Sequence, residues 1–321
     1  MDNKALLIGD IGGTNARFAL AMADGRGYSR EKVFNCADYE TSELAIEAYL
    51  DSIDVERPDM ICLAAAGPVV NGEVDVTNNH WQLRETNLRA RFDGAGVRIL
   101  NDFEAAALGL PVLAEEDSIP VGALAAPDLS TGNFTVGVIG PGTGLGAAGL
   151  VCRSGVTNPL ISEAGHIGFA PETGLQAAVC EVLRQRFGRV SDERLVSGSG
   201  LENIFSALAA IRGETEARLG AAEIFDVADE NELAGEAINL FFEVFGQVAG
   251  NFALAIGAYD GIYIGGGIAR QHEDRLMGSA FRAGFENKGR HRHLMESTPV
   301  VLIRHLFPGL LGAAATVCLA N

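Results

Sequence analysis

Residues 6–18 read LLIGDIGGTNARF: a short apolar run, an aspartate, then two glycines, a threonine and an asparagine. The run has the length of a buried strand, and Gly12-Gly13 allows a tight reversal that side chains would obstruct. Such a turn leaves backbone N–H groups pointing the same way, which is what cradling a phosphate requires. Asp10 at the strand end is placed to hold Mg²⁺, an ion that takes oxygen ligands and keeps several waters. Gly9, Asp10, Ile11, Gly12, Gly13, Thr14 and Asn15 therefore read as half of a Mg-nucleotide site, against the plainer reading of a glycine hairpin. The spacing of this loop lacks both G-x-G-x-x-G and a Walker Lys-Ser/Thr. Residues 17–21 resume a strand pattern, so these glycines join two strands and do not open a helix.

Three further groups carry chemistry. Residues 140–146 (GPGTGLG) repeat the glycine loop, with an apolar run at 147–152 that looks like a returning strand. Two such hairpins would place a polyphosphate between them. Asp102 ends the run VRILN, where carboxylates of an open α/β sheet face the binding crevice. As a base it would accept the proton of an attacking hydroxyl. Its plainer role is N-cap of the helix starting at Phe103, and the two are compatible. Glu163 and His166 (E-A-G-H) have Glu-x-x-His spacing, yet no second copy exists for a di-iron site and Gly165 and Gly168 oppose a helix. A carboxylate that accepts from neighbouring hydroxyls and an imidazole that donates in return suit a sugar, against the alternative of an exposed loop. Glu193 reads equally as a first-turn acid of a helix beginning at Ser191, and residues 77–81 (TNNHW) as a polar turn with a buried tryptophan.

The elements that must position these groups alternate along the chain. Strand patterns occupy 4–9, 16–22, 32–35, 60–66 and 97–101, with helical spacing at 41–53 and 103–109. From Phe134 the syntax restarts: strands at 134–140 and 147–152 flank the second glycine loop. Helices are expected at 174–187, 200–211, 230–258 and 272–287, with strands at 261–264 and 299–305 and a last apolar helix at 310–319. Two copies of strand–glycine turn–strand, each followed by alternation, point to a duplicated α/β architecture. At 321 residues two domains are expected, 1–111 with the returning tail 304–321, and 112–303.

Composition narrows the classes. A formal charge of −18 excludes nucleic acid as a partner, because binding it needs a basic face. It is no obstacle to ATP, which backbone dipoles and a metal ion can hold. The start MDNKALLIGD lacks a signal-peptide pattern, and the helix-like stretch around Glu243, Gln247 and Asn251 looks soluble, so no membrane association is expected. Five scattered cysteines without C-x-x-C favour reduced thiols and a cytoplasmic setting.

GDIGGTNAR, ILNDFEAAALG, GPGTGLG, EAGHIGFAP, VSDERLVSGSG, IYIGGGIA and FPGLLGAA occur in the order found in bacterial ATP-dependent glucokinases, which the chain resembles over nearly its whole length. That family belongs to the sugar kinase, chaperone and actin superfamily. The resemblance implies two ribonuclease-H-like domains, each a mixed sheet flanked by helices, closing on ATP and sugar in an interdomain cleft. It implies a cytoplasmic homodimer using ATP and Mg²⁺ to phosphorylate glucose at the 6-hydroxyl, the first step of glycolysis. Asp10 to Asn15 would be the first phosphate loop, Gly142, Thr143 and Gly144 the second, and Gly265, Gly266 and Gly267 would lie near the adenosine. Asn101, Asp102, Glu163, His166 and Glu193 align with sugar-binding residues, and Asp102 with the catalytic base. Residues 168–176 lack the cysteines with which a sister family of sugar kinases and repressors binds zinc. Competing readings are a kinase for mannose, fructose or an amino sugar, an actin- or chaperone-like ATPase, and a non-catalytic sugar sensor.

Overall fold

The computed structural model describes residues 4–214 and 218–319; residues 1–3 and 320–321, which close the two ends of the expected first domain, lie outside the described residues. Its first five-stranded sheet begins with β1 (Leu6–Ile11), β2 (Asn15–Ala21) and β3 (Tyr28–Asn35). After α1 (Ser42–Asp51) come β4 (Met60–Ala65), a small hairpin of β5 (Glu73–Asp75) and β6 (Gln82–Arg84), α2 (Glu85–Arg91), β7 (Gly96–Asn101) and α3 (Asp102–Gly109). The second, six-stranded sheet holds β8 (Ser118–Pro120), β9 (Phe134–Pro141), β10 (Leu145–Arg153) and β11 (Val156–Ser162). Helices α4 (Gly174–Phe187), α5 (Gly198–Arg212), α6 (Ala221–Val227) and α7 (Glu232–Ile256) precede β12 (Gly261–Ile264). Four short helices follow: α8 (Gly267–Gln271), α9 (Glu273–Met277), α10 (Phe281–Glu286) and α11 (Arg292–Glu296); β13 (Val300–Ile303) and α12 (Pro308–Leu319) complete the chain.

The strand orders are β3-β2-β1-β4-β7 and β11-β10-β9-β12-β13-β8. In each sheet two antiparallel pairs run from the outer edge to the central strand, and two parallel neighbours follow. The expected repetition of strand, glycine turn and strand is therefore matched by repeated sheet order, with β8 as an extra antiparallel edge.

Alternation along the strands sorts side chains into separate cores. Leu6 and Ile8 face one side of the first sheet, Leu7 and Ile11 the other. Val136, Val138, Tyr263 and Val301 of the second sheet join Leu6 and Ile8 in a middle layer that α3 and α12 fill. These two helices cross closely because Gly109 and Gly312 meet there: a Cβ on Gly312 would lie 1.7 Å from Ala105 O. Helices α4 to α7 cover the far face of the second sheet. Helix α7 is long and apolar enough to cross a membrane by length and composition, but most of its apolar window is buried inside the fold.

Several expected boundaries are corrected. The single helix at 272–287 is instead α9 and α10, broken around Gly278, where Ser279 Oγ accepts from Phe281 N at 3.2 Å just before the restart. The expected helix at 230–258 starts at Glu232, where the Asn231 side chain accepts from Ala234 N, and α6 is a separate element before it. Strand β11 was not expected, since Pro159 interrupts its pattern; it is an edge strand, where a missing N–H is tolerated.

Candidate active site

Register brings the chemistry to one level. Ile11 pairs with Ala65, and Ala65 with Asn101, so Gly12 and Asp102 both emerge just past the carboxyl ends of neighbouring strands. In the second sheet Ile139 pairs with Ile264, which sets Gly140 beside Gly265; a Cβ on Gly140 would lie 2.4 Å from Gly265 C. Gly266, at φ +84, sits against Pro141 O in the left-handed region that glycine tolerates.

The first glycine turn closes with Gly12 N donating to Asn15 O at 3.0 Å. Its outer side is braced by the 77–81 turn: Asn79 Nδ2 donates to Gly12 O at 3.0 Å, and Asn78 and Thr77 O would lie 3.2–3.3 Å from a Cβ on Gly13. Trp81 is buried and donates from Nε1 to Tyr39 O. This turn is both a polar turn with a buried tryptophan and a buttress of the first loop.

Asp102 is the first residue of α3, not its cap. Asn101 takes that role: its Oδ1 accepts from Phe103 N and Glu104 N, and Glu104 returns the favour at Asn101 N. Asn101 Nδ2 also donates to Gly67 O at 3.0 Å. Burial pushes the Asp102 carboxyl up to about 6; the Phe103 N–H pulls it down and the charge of Asp10 pushes it further up. Asp10 is also raised, mainly by burial, although Arg17 across the hairpin opposes the shift.

Asp10, Asp102 and Gly265 to Gly267 line one cavity of about 200 Å³, together with Phe103, Arg270, His305 and Gly309. Sequence reasoning missed Arg270 and His305. A signal for Arg270 was the short helix opening directly from the third glycine motif. A larger hollow of about 600 Å³ between α1 and α2 contains none of the motif residues, and its charges pair with one another, Arg91 with Glu47 and Arg57 with Asp93.

Glu163, His166 and Glu193 form a second, outer cluster. His166 Nε2 lies 4.0 Å from Glu163 Oε2, and Nδ1 lies 4.0 Å from Glu193 Oε1. Glu163 and His166 are each about 60% exposed. Their turn sits tightly on β10, where a Cβ on Gly165 would come 2.2 Å from Leu145 O. Glu193 belongs to a short 3-10 turn, and α5 starts only at Gly198, capped by Ser197; its carboxylate is not spent on a helix start. Glu193 Oε2 instead accepts from Leu145 N at 3.0 Å, tying the outer cluster to the loop of Gly142, Thr143 and Gly144. Beneath it, burial pushes Asp192 up to about 7 while Arg189, which donates to His166 O, pulls it down. These outer residues do not line the inner cavity. Phe103 connects the two, its ring filling the space where a Cβ on Gly146 would go.

The model of the family described as Glucokinase matches residues 7–320. The chain belongs to the glucokinase family. A glucokinase of Marinobacter nauticus is 41% identical over 315 residues, spanning 96% of this chain and 95% of that one. The crystal structure of a glucokinase from an Antarctic psychrotroph superposes with a TM-score of 0.89 at 36% identity, covering 98% of both chains. A ROK family glucokinase from Streptomyces griseus, solved with glucose and AMPPNP, shares the fold at TM-score 0.62 and 20% identity, over 97% and 98% of the two chains. The glucokinase family's mixed α/β architecture, with sheets flanked by helices, is thus the fold of this chain.

Proposed function

We infer that this chain transfers the γ-phosphoryl group of ATP to the 6-hydroxyl of glucose, with Asp102 as general base. Its family carries the activity. The observation that carries the mechanism is the meeting of Asp10 and Asp102 with Gly265 to Gly267 in one cavity at the strand ends of both sheets. With its carboxyl near 6, Asp102 is ionised at neutral pH and still basic enough to take a proton. The hydroxyl oxygen bonds to the γ-phosphorus, the bridging P–O bond breaks, and the hydroxyl proton passes to Asp102. Such transfer needs mainly alignment and charge neutralisation. Half-buried Asp10 offers carboxylate oxygens that suit Mg²⁺, which when bound would neutralise phosphate charge; Mg²⁺ asks for one or two carboxylates and completes its shell with phosphate and water.

Glu163, His166 and Glu193, with Asn101, are proposed to hold the sugar hydroxyls, and the loops at 9–15 and 142–144 the phosphates. Residues 1–111 with 304–321 and residues 112–303 are proposed as two ribonuclease-H-like domains that close over the substrates; the repeated sheet order supports this reading. Closure would remove the exposed outer cluster from water, which otherwise competes as nucleophile. A cytoplasmic homodimer at the entry to glycolysis is the corresponding setting. A coupled assay with ATP over glucose, mannose, fructose and glucosamine tests the reading. Glucose is expected to give the highest kcat/KM; equal rates across the panel, or ATP hydrolysis without sugar, would overturn it.

A further inference from the structure

Among the described residues, two side-chain nitrogens are buried without a hydrogen-bond partner, Arg17 Nε and Arg270 Nη1. A buried guanidinium N–H left unmatched is costly, and native structures leave few such groups without a role. Arg17 has compensation nearby: its guanidinium lies 4.2 Å from the centre of the Phe307 ring, and its charge acts on Asp10, its register partner across the hairpin. Arg270 has none of this. It lines the inner cavity together with Asp10, Asp102 and His305. His305 Nδ1 accepts from Phe307 N at 3.1 Å, so the neutral ring carries its proton on Nε2. Burial lowers the His305 pKa, and Arg270 pushes the same way against Asp117 and Glu31.

The residues that line the cavity therefore include two donors, a cationic fork and an imidazole N–H, and no acceptor answers the buried Nη1. The chemistry that satisfies such a wall is an anion with several oxygens. At about 200 Å³ the cavity is smaller than the ~300 Å³ at which pockets begin to enclose whole ligands. It admits the charged end of a molecule that continues into the cleft. We propose that Arg270, supported by His305, binds a phosphoryl oxygen of the nucleotide's polyphosphate chain. This rests on the reading of the cavity as the nucleotide end of the site.

The test is calorimetric titration of the full chain with ADP, adenosine and glucose, for the parent, Arg270→Met and Arg270→Lys. ADP affinity is expected to fall ~10–100-fold in Arg270→Met and less in Arg270→Lys, which keeps the charge but not the fork. Adenosine and glucose affinities should stay within about twofold of the parent, since neither offers a phosphate. The ligand-free melting temperature separates binding from architecture. Removing an unmatched buried charge should leave it unchanged or raised, whereas a structural role predicts a fall. ADP affinity within about twofold of the parent in a folded Arg270→Met overturns the proposal while leaving Asp102 and the phosphorylation reading intact. Failure of Arg270→Met to fold, with ADP affinity unchanged in Arg270→Lys, also overturns it. If the parent itself does not bind ADP, the nucleotide reading of the cavity falls, and this proposal with it.

Discussion

At the scale of single residues, the site is defined by what burial does to carboxylates. Asp102 pairs a carboxyl made basic by burial with a position at a strand end, next to the Asn101 cap. Asp102→Asn should fold and lose ~10²–10⁴-fold in kcat, the usual worth of a general base. Parent-like turnover in this variant would remove Asp102 from the mechanism. The same group sets a pH signature. Between the ordinary value of 3.8 and about 6, the folded chain holds a proton on Asp102 that the unfolded chain releases. Its contribution to stability therefore falls as pH rises through that window. Above it, Asp102→Asn should exceed the parent in unfolding free energy by about 1–3 kcal/mol, and the difference should vanish near pH 3. Chemical denaturation at pH 7.5 and pH 3.5 reads this directly. The acid limb of kcat/KM should bend near pH 6. Asp192, pushed up to about 7, titrates close by; Asp192→Asn should leave the limb in place, and a displaced limb would reassign it.

At the scale of elements, glycine serves both the turns read as phosphate loops and the packing of helices. Gly312 lets α12 cross α3 at a distance where a methyl group would strike Ala105 O. Gly312→Ala should thus cost about 1–3 kcal/mol through backbone displacement, measured by urea unfolding, and lower kcat because α3 carries Asp102. An unperturbed variant would mean that the crossing is looser than it looks. This double use explains what the sequence could and could not reveal. Strands 60–66 and 261–264 were readable because buried parallel strands are continuous apolar runs. Helix 174–187 was readable from its Thr173 cap and its closing Gly188. Strand β11 and the break between α9 and α10 were not, since each depends on a tertiary neighbour: β11 on the edge of β10, and α10 on α7, where Glu243 O fills the Cβ position of Gly284. The site divides likewise. Asp10 and Asp102 stand at strand ends that local pattern betrays. Glu193, by contrast, is fixed by Leu145 N, 48 residues away, and the cavity that Arg270 lines is completed by Asp10, Asp102 and His305, distant from it in sequence.

At the scale of the molecule, the arrangement is an inner cavity and an outer cluster joined through α3. The first sheet carries Asp10 and Asp102, the second carries the glycines at 142–144 and 265–267 and the Glu163–His166–Glu193 set, and α3 and α12 pack between the sheets. Sugar and nucleotide would then be gripped by both sheets, and neither ligand could be fully enclosed until the sheets approach. Whichever ligand binds first meets the cost of ordering that approach, so the second should bind more tightly. Coupling free energies of about 1–3 kcal/mol are usual for linked sites, equivalent to ~5–150-fold in affinity. Glucose affinity is accordingly expected to rise by that factor when AMPPNP is saturating, and AMPPNP affinity by the same factor with saturating glucose, because linkage is reciprocal. Titration calorimetry in both orders measures each arm. A factor of one in both would show two independent sites and would rule out closure as the device that excludes water from the reaction.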